Sequence, residues 1–334
     1  MIPRTASAWQ TPAWQIALAQ AISDPAELLR ILGLESCLTP AARAAARDFP
    51  LRVPRGYVAR MRYGDPHDPL LRQVLPLDEE QLPAPGFSLD AVGDLAAMAA
   101  PGVLHKYHGR VLLVSTGACA VHCRYCFRRH FPYADANPAP QQWRAALDYI
   151  GADASIHEVI LSGGDPLSLS DQRLALLTAE LARIPHVKYL RVHTRLPVVL
   201  PERVDAALLE WLTGGRLKPI MVIHANHAQE IDEAVRRALA QLSAHGVALF
   251  NQAVLLRGVN DSSDALAALS EQLFDAGVTP YYLHLLDKVQ GAAHFEVNDA
   301  TAGRIMDELR ARLPGYLAPR LVRERAGGRY KIPV

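Results

Sequence analysis

"LLVSTGACAVHCRYCFRRHF" spans Leu112 to Phe131 and holds three of the chain's four cysteines, Cys119, Cys123 and Cys126, spaced C-x3-C-x2-C. The stretch begins inside "RVLLVST" (110–116), an apolar, β-branched run of the length a buried strand needs. The three thiols therefore fall on the loop that leaves a strand end.

Outward from that loop the same unit repeats. Apolar runs stand at "HEVILSG" (157–163), "VKYLRVHT" (187–194), "KPIMVIHA" (218–225), "VALFNQAVL" (247–255) and "PYYLHLL" (280–286). Amphipathic stretches follow the six runs at 140–150, 171–184, 202–213, 229–245, 262–276 and 300–313. Six strand–helix units with nearly continuous apolar strands predict an α/β fold with a parallel sheet under helices. The polar residues just past the strand ends are Thr116 to Cys126, Gly163 to Asp165, His193 to Arg195, His224 to His227, Gln252 and Asp287. Their convergence on one face predicts a partial (β/α)6 barrel over an open sheet with a single crevice.

The first hundred residues read differently. Ala6 to Leu32 has a helical pattern, as does Pro40 to Arg47, and prolines at 50, 54, 66, 69 and 76 then favour short helices and turns. The expected division is a helical extension over 1–100 and a core over 101–334. Of the 334 residues, half are hydrophobic and the formal net charge is +1. That balance offers no global attraction to nucleic acid or to a membrane surface. Met1 to Gln20 lacks a signal-peptide apolar stretch, and no apolar run approaches the ~20 residues of a membrane span. A cytoplasmic, reducing setting is expected, in which clustered thiols bind metal or do redox chemistry.

Three thiolates are one short of a closed site, since structural zinc and most iron–sulfur clusters use four ligands. On a four-iron cluster they leave one iron without a protein ligand, open to a small molecule. A zinc site completed by His122 or His130 is the alternative, and a zinc module binding RNA or a translation factor through "CRYCFRRH" would be its functional form. It lacks a second cysteine pair. Cys37 stands alone and reads as a buried small residue.

The cysteine loop, with Tyr125 beside its last cysteine, resembles that of the radical S-adenosylmethionine superfamily. The resemblance extends to "LSGGDPL" (161–167), and through "HTRLPVVLP" (193–201), "HANH" (224–227) and "NQAVLLRGVND" (251–261) to its lysine 2,3-aminomutase branch. Within that branch the chain is similar along essentially its whole length to the bacterial enzymes that serve β-lysylation of elongation factor P.

The resemblance implies a [4Fe-4S] cluster on Cys119, Cys123 and Cys126, and S-adenosylmethionine contacted by Gly163, Gly164, Asp165, His224 and Gln252. Asp165 would take the cofactor's ammonium. Reductive cleavage, with electrons from a flavodoxin- or ferredoxin-type donor, would give a 5′-deoxyadenosyl radical. The tail "RERAGGRYKIPV" (323–334) implies a second cofactor, pyridoxal 5′-phosphate, held as a Schiff base on Lys331. Its phosphate would face Lys106 and Arg110 of "HKYHGR" (105–110), and the substrate aldimine would carry the radical rearrangement.

Arg128 matches the arginine that clamps the substrate α-carboxylate, while Arg124 and Arg129 read as surface or cluster-screening charges. Asp287 and Glu324 match the two acids that hold the distal ammonium of lysine. Glu324 stands where free-lysine mutases carry Asp, which lengthens one arm. Two anions there disfavour glutamate as substrate. The implied reaction converts L-lysine to (R)-β-lysine, which a separate ligase would attach to elongation factor P; release of free β-lysine for catabolism or secondary metabolism is the alternative.

Overall fold

A computed structural model describes residues 11–133 and 143–334. Each apolar run becomes a strand where the pattern puts it: β3 Arg110–Thr116, β4 Glu158–Gly163, β5 Tyr189–Thr194, β6 Lys218–Ile223, β7 Ala248–Val254 and β8 Thr279–His284. Each is followed by a helix: Trp143–Ala152, Asp171–Ala182, Ala206–Thr213, Glu233–Ala244, Ser263–Asp275 and Asp299–Arg312. Two of these start about four residues later than the periodicity predicts. Asp205 and Asp232 cap the backbone N–H groups of Leu208 and Val235 at 2.9 Å, and the residues before them form 3-10 turns instead. The predicted residues 140–142 lie outside the described segments.

Four strands escaped the periodicity because they are short: β1 Met98–Ala100, β2 Val103–Tyr107, β9 Arg320–Arg323 and β10 Ile332–Pro333. All ten strands join in sequence order. β3 to β9 run parallel, with antiparallel β1–β2 added at one edge and β10 at the other. "HKYHGR" is therefore the end of a β-hairpin within the sheet. In a flat sheet β2 and β9 would stand about 34 Å apart, at ~4.8 Å per strand. Yet Tyr107 Oη, on β2, donates to Glu324 Oε1, one residue past β9, at 2.8 Å. The sheet curls almost fully round; among the described residues β1 and β10 do not pair, so the barrel is partial.

The helical stretch expected over 6–32 is two helices within the described residues, Ala13–Ala19 and Pro25–Ile31. Between them Ile22 exchanges backbone hydrogen bonds with Val53, and Asp24 caps the second helix ahead of Pro25. Trp14, Leu28, Leu29, Tyr57 and Leu70 of the extension share one apolar core with the barrel's Val111, Leu161 and Val192. Cys37 is half-buried against that core. Among the described residues no helix is long and apolar enough to cross a membrane.

Candidate active site

The curled sheet encloses a cavity of about 580 Å3, and every residue that the resemblance assigns to the cluster, the cofactors or the substrate lines it, whereas His122 and His130 do not. The cysteine loop forms one wall. Its shape is imposed from outside: Arg124 is fully buried, its Nε and Nη2 donating to Glu80 at 2.8 and 2.5 Å and its Nη1 to the Phe49 carbonyl at 2.6 Å. Arg129 reaches the same carboxylate at 2.7 Å. These two arginines are thus buried braces between loop and extension, not surface or cluster-screening charges. With Arg124 turned outward, Cys123 and Cys126 turn toward the cavity.

Burial and its two neighbouring thiols hold Cys119 well above its usual range, and burial with Cys123 pushes Cys126 up to about 11. Such thiols ionise when a bound cation replaces the lost hydration. Among the described residues no three Cys, His, Asp or Glu side chains converge as a single metal ion requires. A cluster bound one thiolate to each iron imposes no such convergence. His122 is tied through Nδ1 to the Pro50 carbonyl at 2.8 Å, and His130 through Nε2 to the Gln290 carbonyl at 3.1 Å. The donor set fits the cluster better than zinc.

The glycine pair after β4 is packed against the cysteine loop. A Cβ on Gly163, whose φ is +124°, would meet the Thr116 carbonyl oxygen at 2.5 Å; one on Gly164 would meet that of Ala118 at 2.4 Å. Both carbonyls belong to the turn leading into Cys119. Gly164→Ala is expected to cost about 1–3 kcal/mol by overpacking and to displace that turn. Reconstituted protein should hold clearly less iron at unchanged helix content by circular dichroism.

Asp165 is engaged from within the protein. Its Oδ1 accepts from Thr194 Oγ1 at 2.7 Å and Leu167 N at 3.1 Å, its Oδ2 from Arg195 N at 2.7 Å. Burial nevertheless pushes its pKa up to about 6. It thereby fastens the glycine loop to the end of β5.

Three imidazoles also line the cavity, His284 buried and His193 and His224 half-buried. The Gln252 amide lies 2.7 Å from His224 Nε2 and 3.5 Å from His193 Nδ1, and His284 follows on β8. Burial first, then nearby cations including Lys331, holds His193 and His284 well below the usual imidazole value and His224 at about 3. Neutral rings at neutral pH leave room for a cationic sulfonium. His193 Nε2 and His284 Nε2 have no partner among the described residues, so each offers a buried polar atom to a ligand.

Lys331 Nζ pairs with Glu324 Oε2 at 2.7 Å. Lys106 bonds Asp94 at 2.6 Å and lies 3.5 Å from Glu324. Arg128 also meets Asp94, through Nε at 2.6 Å, and its Nη1 reaches Ser162 Oγ at 3.1 Å; Nη2 keeps no protein partner among the described residues. Its Nη2 is left for a carboxylate. Arg110 and Arg320 line the cavity without a carboxylate partner among the described residues, beside the close, tilted pair of rings Tyr281 and Tyr282. An amine, two free guanidiniums and an aromatic face fit a phosphorylated pyridine aldehyde. Lys106, committed to Asp94, is placed less well for its phosphate than Arg110.

Asp287 is deeply recessed and has a pKa raised to about 7, first by burial and against the pull of Lys331. Glu324 is lowered by Lys331 and Lys106, which outweigh its own burial.

Sequence reading missed several residues of this site. Asp94, 2% exposed, organises both Lys106 and Arg128, yet it is a lone acid in a segment with no motif. Arg320 sits on a strand too short to show a period. His193 and Arg195 stood in a quoted strand-end motif without an assigned task; His284 lay inside the predicted strand 280–286.

A Radical SAM superfamily model matches residues 113–269, which include the cysteine loop and the glycine pair. The chain is 51% identical over 324 residues to an L-lysine 2,3-aminomutase of Escherichia coli, covering 96% of this chain and 94% of the relative. An L-lysine 2,3-aminomutase of Haemophilus influenzae is 49% identical over 94% and 93% of the two chains. One of Clostridium subterminale is 33% identical, over 98% of this chain and 78% of its own length.

Proposed function

Because the chain belongs to the radical S-adenosylmethionine L-lysine 2,3-aminomutase family and is an isomerase, we propose that it moves the α-amino group of L-lysine to Cβ, giving (R)-β-lysine. The observation that carries this reading is one cavity lined by the three cysteines, Lys331, Asp287 and Glu324 together. The iron–sulfur cluster with S-adenosylmethionine supplies a hydrogen-abstracting radical, and pyridoxal phosphate an imine π-system for the migrating nitrogen.

The chain's own groups do the rest. Cys119, Cys123 and Cys126 anchor the cluster, leaving one iron for the cofactor. Gln252 and the neutral His224 bind that cofactor without repelling its positive sulfur. Lys331 carries the pyridine aldehyde, and Glu324 Oε2, 2.7 Å away, holds the Nζ proton when the amine is free. Arg110 and Arg320 face its phosphate. Arg128 Nη2 takes the substrate carboxylate while Asp94 fixes the guanidinium plane. Asp287 and Glu324 receive the distal ammonium. Enclosure within the strand ends keeps water from the radical.

The experiment is anaerobic reconstitution with iron, sulfide, pyridoxal phosphate, S-adenosylmethionine and a flavodoxin- or ferredoxin-type donor, followed by chiral mass spectrometry. L-lysine should yield (R)-β-lysine and L-glutamate nothing; no β-lysine, or equal turnover of glutamate, ends the reading. The resemblance of the sequence motifs to the enzymes that serve β-lysylation supports elongation factor P as the product's destination. Elongation factor P from cells lacking this chain should lose its β-lysyl group, and an unchanged mass would leave free β-lysine as the product.

Asp287 makes the reaction pH-dependent. Its carboxylate form pairs with the lysine ammonium, so kcat/KM should fall as pH drops through about 7. Bound lysine stabilises the carboxylate, so kcat should change less. Asp287→Asn should lower kcat/KM by about 10²–10³-fold, from the cost of breaking a buried charge pair, and abolish that acid limb.

A further inference from the structure

We infer that Arg195 is a positioning residue that sets the reduction potential of the cluster through a hydrogen bond to Cys123. The inference rests on the cluster reading above. Arg195 Nη1 donates to Cys123 Sγ at 2.8 Å. Arg195 is only 5% exposed, so the bond is not diluted by water.

Its direction is over-determined. Nη2 faces three oxygens: Gln73 Oε1 at 2.6 Å, Glu230 Oε2 at 2.9 Å and Tyr57 Oη at 3.0 Å. Glu230 is itself held by the Asn226 and His227 amides and by Gln73 Nε2. The backbone N–H of Arg195 donates to Asp165, which braces the glycine pair. One residue at the end of β5 thus ties the cysteine loop to the glycine loop and aims a fixed positive group at one cluster sulfur.

A one-electron reduction adds negative charge that spreads over the cluster and its thiolates. Hydrogen bonds and positive charge at sulfur stabilise the reduced state more than the oxidised one and so raise the potential. Glu230 opposes this: the Arg195–Glu230 pair has no net charge, and Cys123 meets its positive end. The electron comes from the external low-potential donor and no bond is made or broken at Arg195.

Opposite shifts at the two partners distinguish this from a merely structural role. Reconstituted wild type, Arg195→Met and Glu230→Gln would be titrated potentiometrically, following the reduced-cluster electron paramagnetic resonance signal without S-adenosylmethionine or lysine. Arg195→Met should shift the midpoint to more negative potential. Glu230→Gln, which leaves Arg195 uncompensated beside the sulfur, should shift it to more positive potential. If Arg195→Met does not fold or load iron, the sign of the Glu230→Gln shift decides. Unshifted midpoints, or shifts of the same sign in both variants, overturn the inference while leaving the cluster intact. Wild type that shows no four-iron signal overturns the cluster reading itself.

Discussion

Cys126→Ala is expected to abolish both the cluster and turnover. Iron and sulfide after anaerobic reconstitution should fall to background and β-lysine to the detection limit. With one of three anchors gone, two thiolates remain for a cubane, and the histidines that flank the loop, His122 and His130, are bound to carbonyls of Pro50 and Gln290. The fold should survive. The loop is held by Arg124, Arg129 and Glu80 rather than by the sulfur. Losing a small buried side chain costs about 1 kcal/mol. The variant should melt nearly as wild type and keep the visible absorbance of bound pyridoxal phosphate. A full complement of iron with the wild-type resonance signal would remove Cys126 from the ligand set.

Lys331→Ala is the complementary loss. The Schiff-base absorbance should vanish on desalting, and turnover should drop by about three orders of magnitude or more, as for other covalent anchors. The cluster's resonance signal should be retained, because Lys331 bonds Glu324 and, among the described residues, none of the three cysteines. Its ion pair with Glu324 is about a quarter exposed on the lysine side and worth at most about 1 kcal/mol, and Lys106 and Tyr107 still face that carboxylate. Stability should therefore change little. Persistent Schiff-base absorbance would mean that another amine carries the aldehyde. The two variants together divide the cavity into halves that fail independently.

Much of this was legible before any coordinates. Five of the six long strands fall within the apolar runs read from the sequence and β8 begins one residue ahead of its run, because strands of six or seven residues in a helix-covered sheet are long enough to leave an apolar run. Strands of two to five residues leave no such trace, so β1, β2, β9 and β10 stayed hidden. Helix starts were misplaced where an aspartate cap, rather than the apolar period, decided the first turn. Arg124 and Arg129 were misread because a charged residue's burial depends on a partner, here Glu80, 44 and 49 residues earlier.

The amino-acid order alone determined which chemical groups the protein owns and that most of them follow strand ends: three thiols, a glycine pair, a terminal lysine and two acids. Strand ends of a parallel sheet must share one side, so those groups had to face together. Only the tertiary structure decided how the ends of the sheet meet, bringing Tyr107 to Glu324 across 217 residues. It also decided that Asp94 aims Arg128, and that Arg195 touches Cys123. Such contacts depend on curvature and on the direction of single side chains, which no local pattern along the chain encodes.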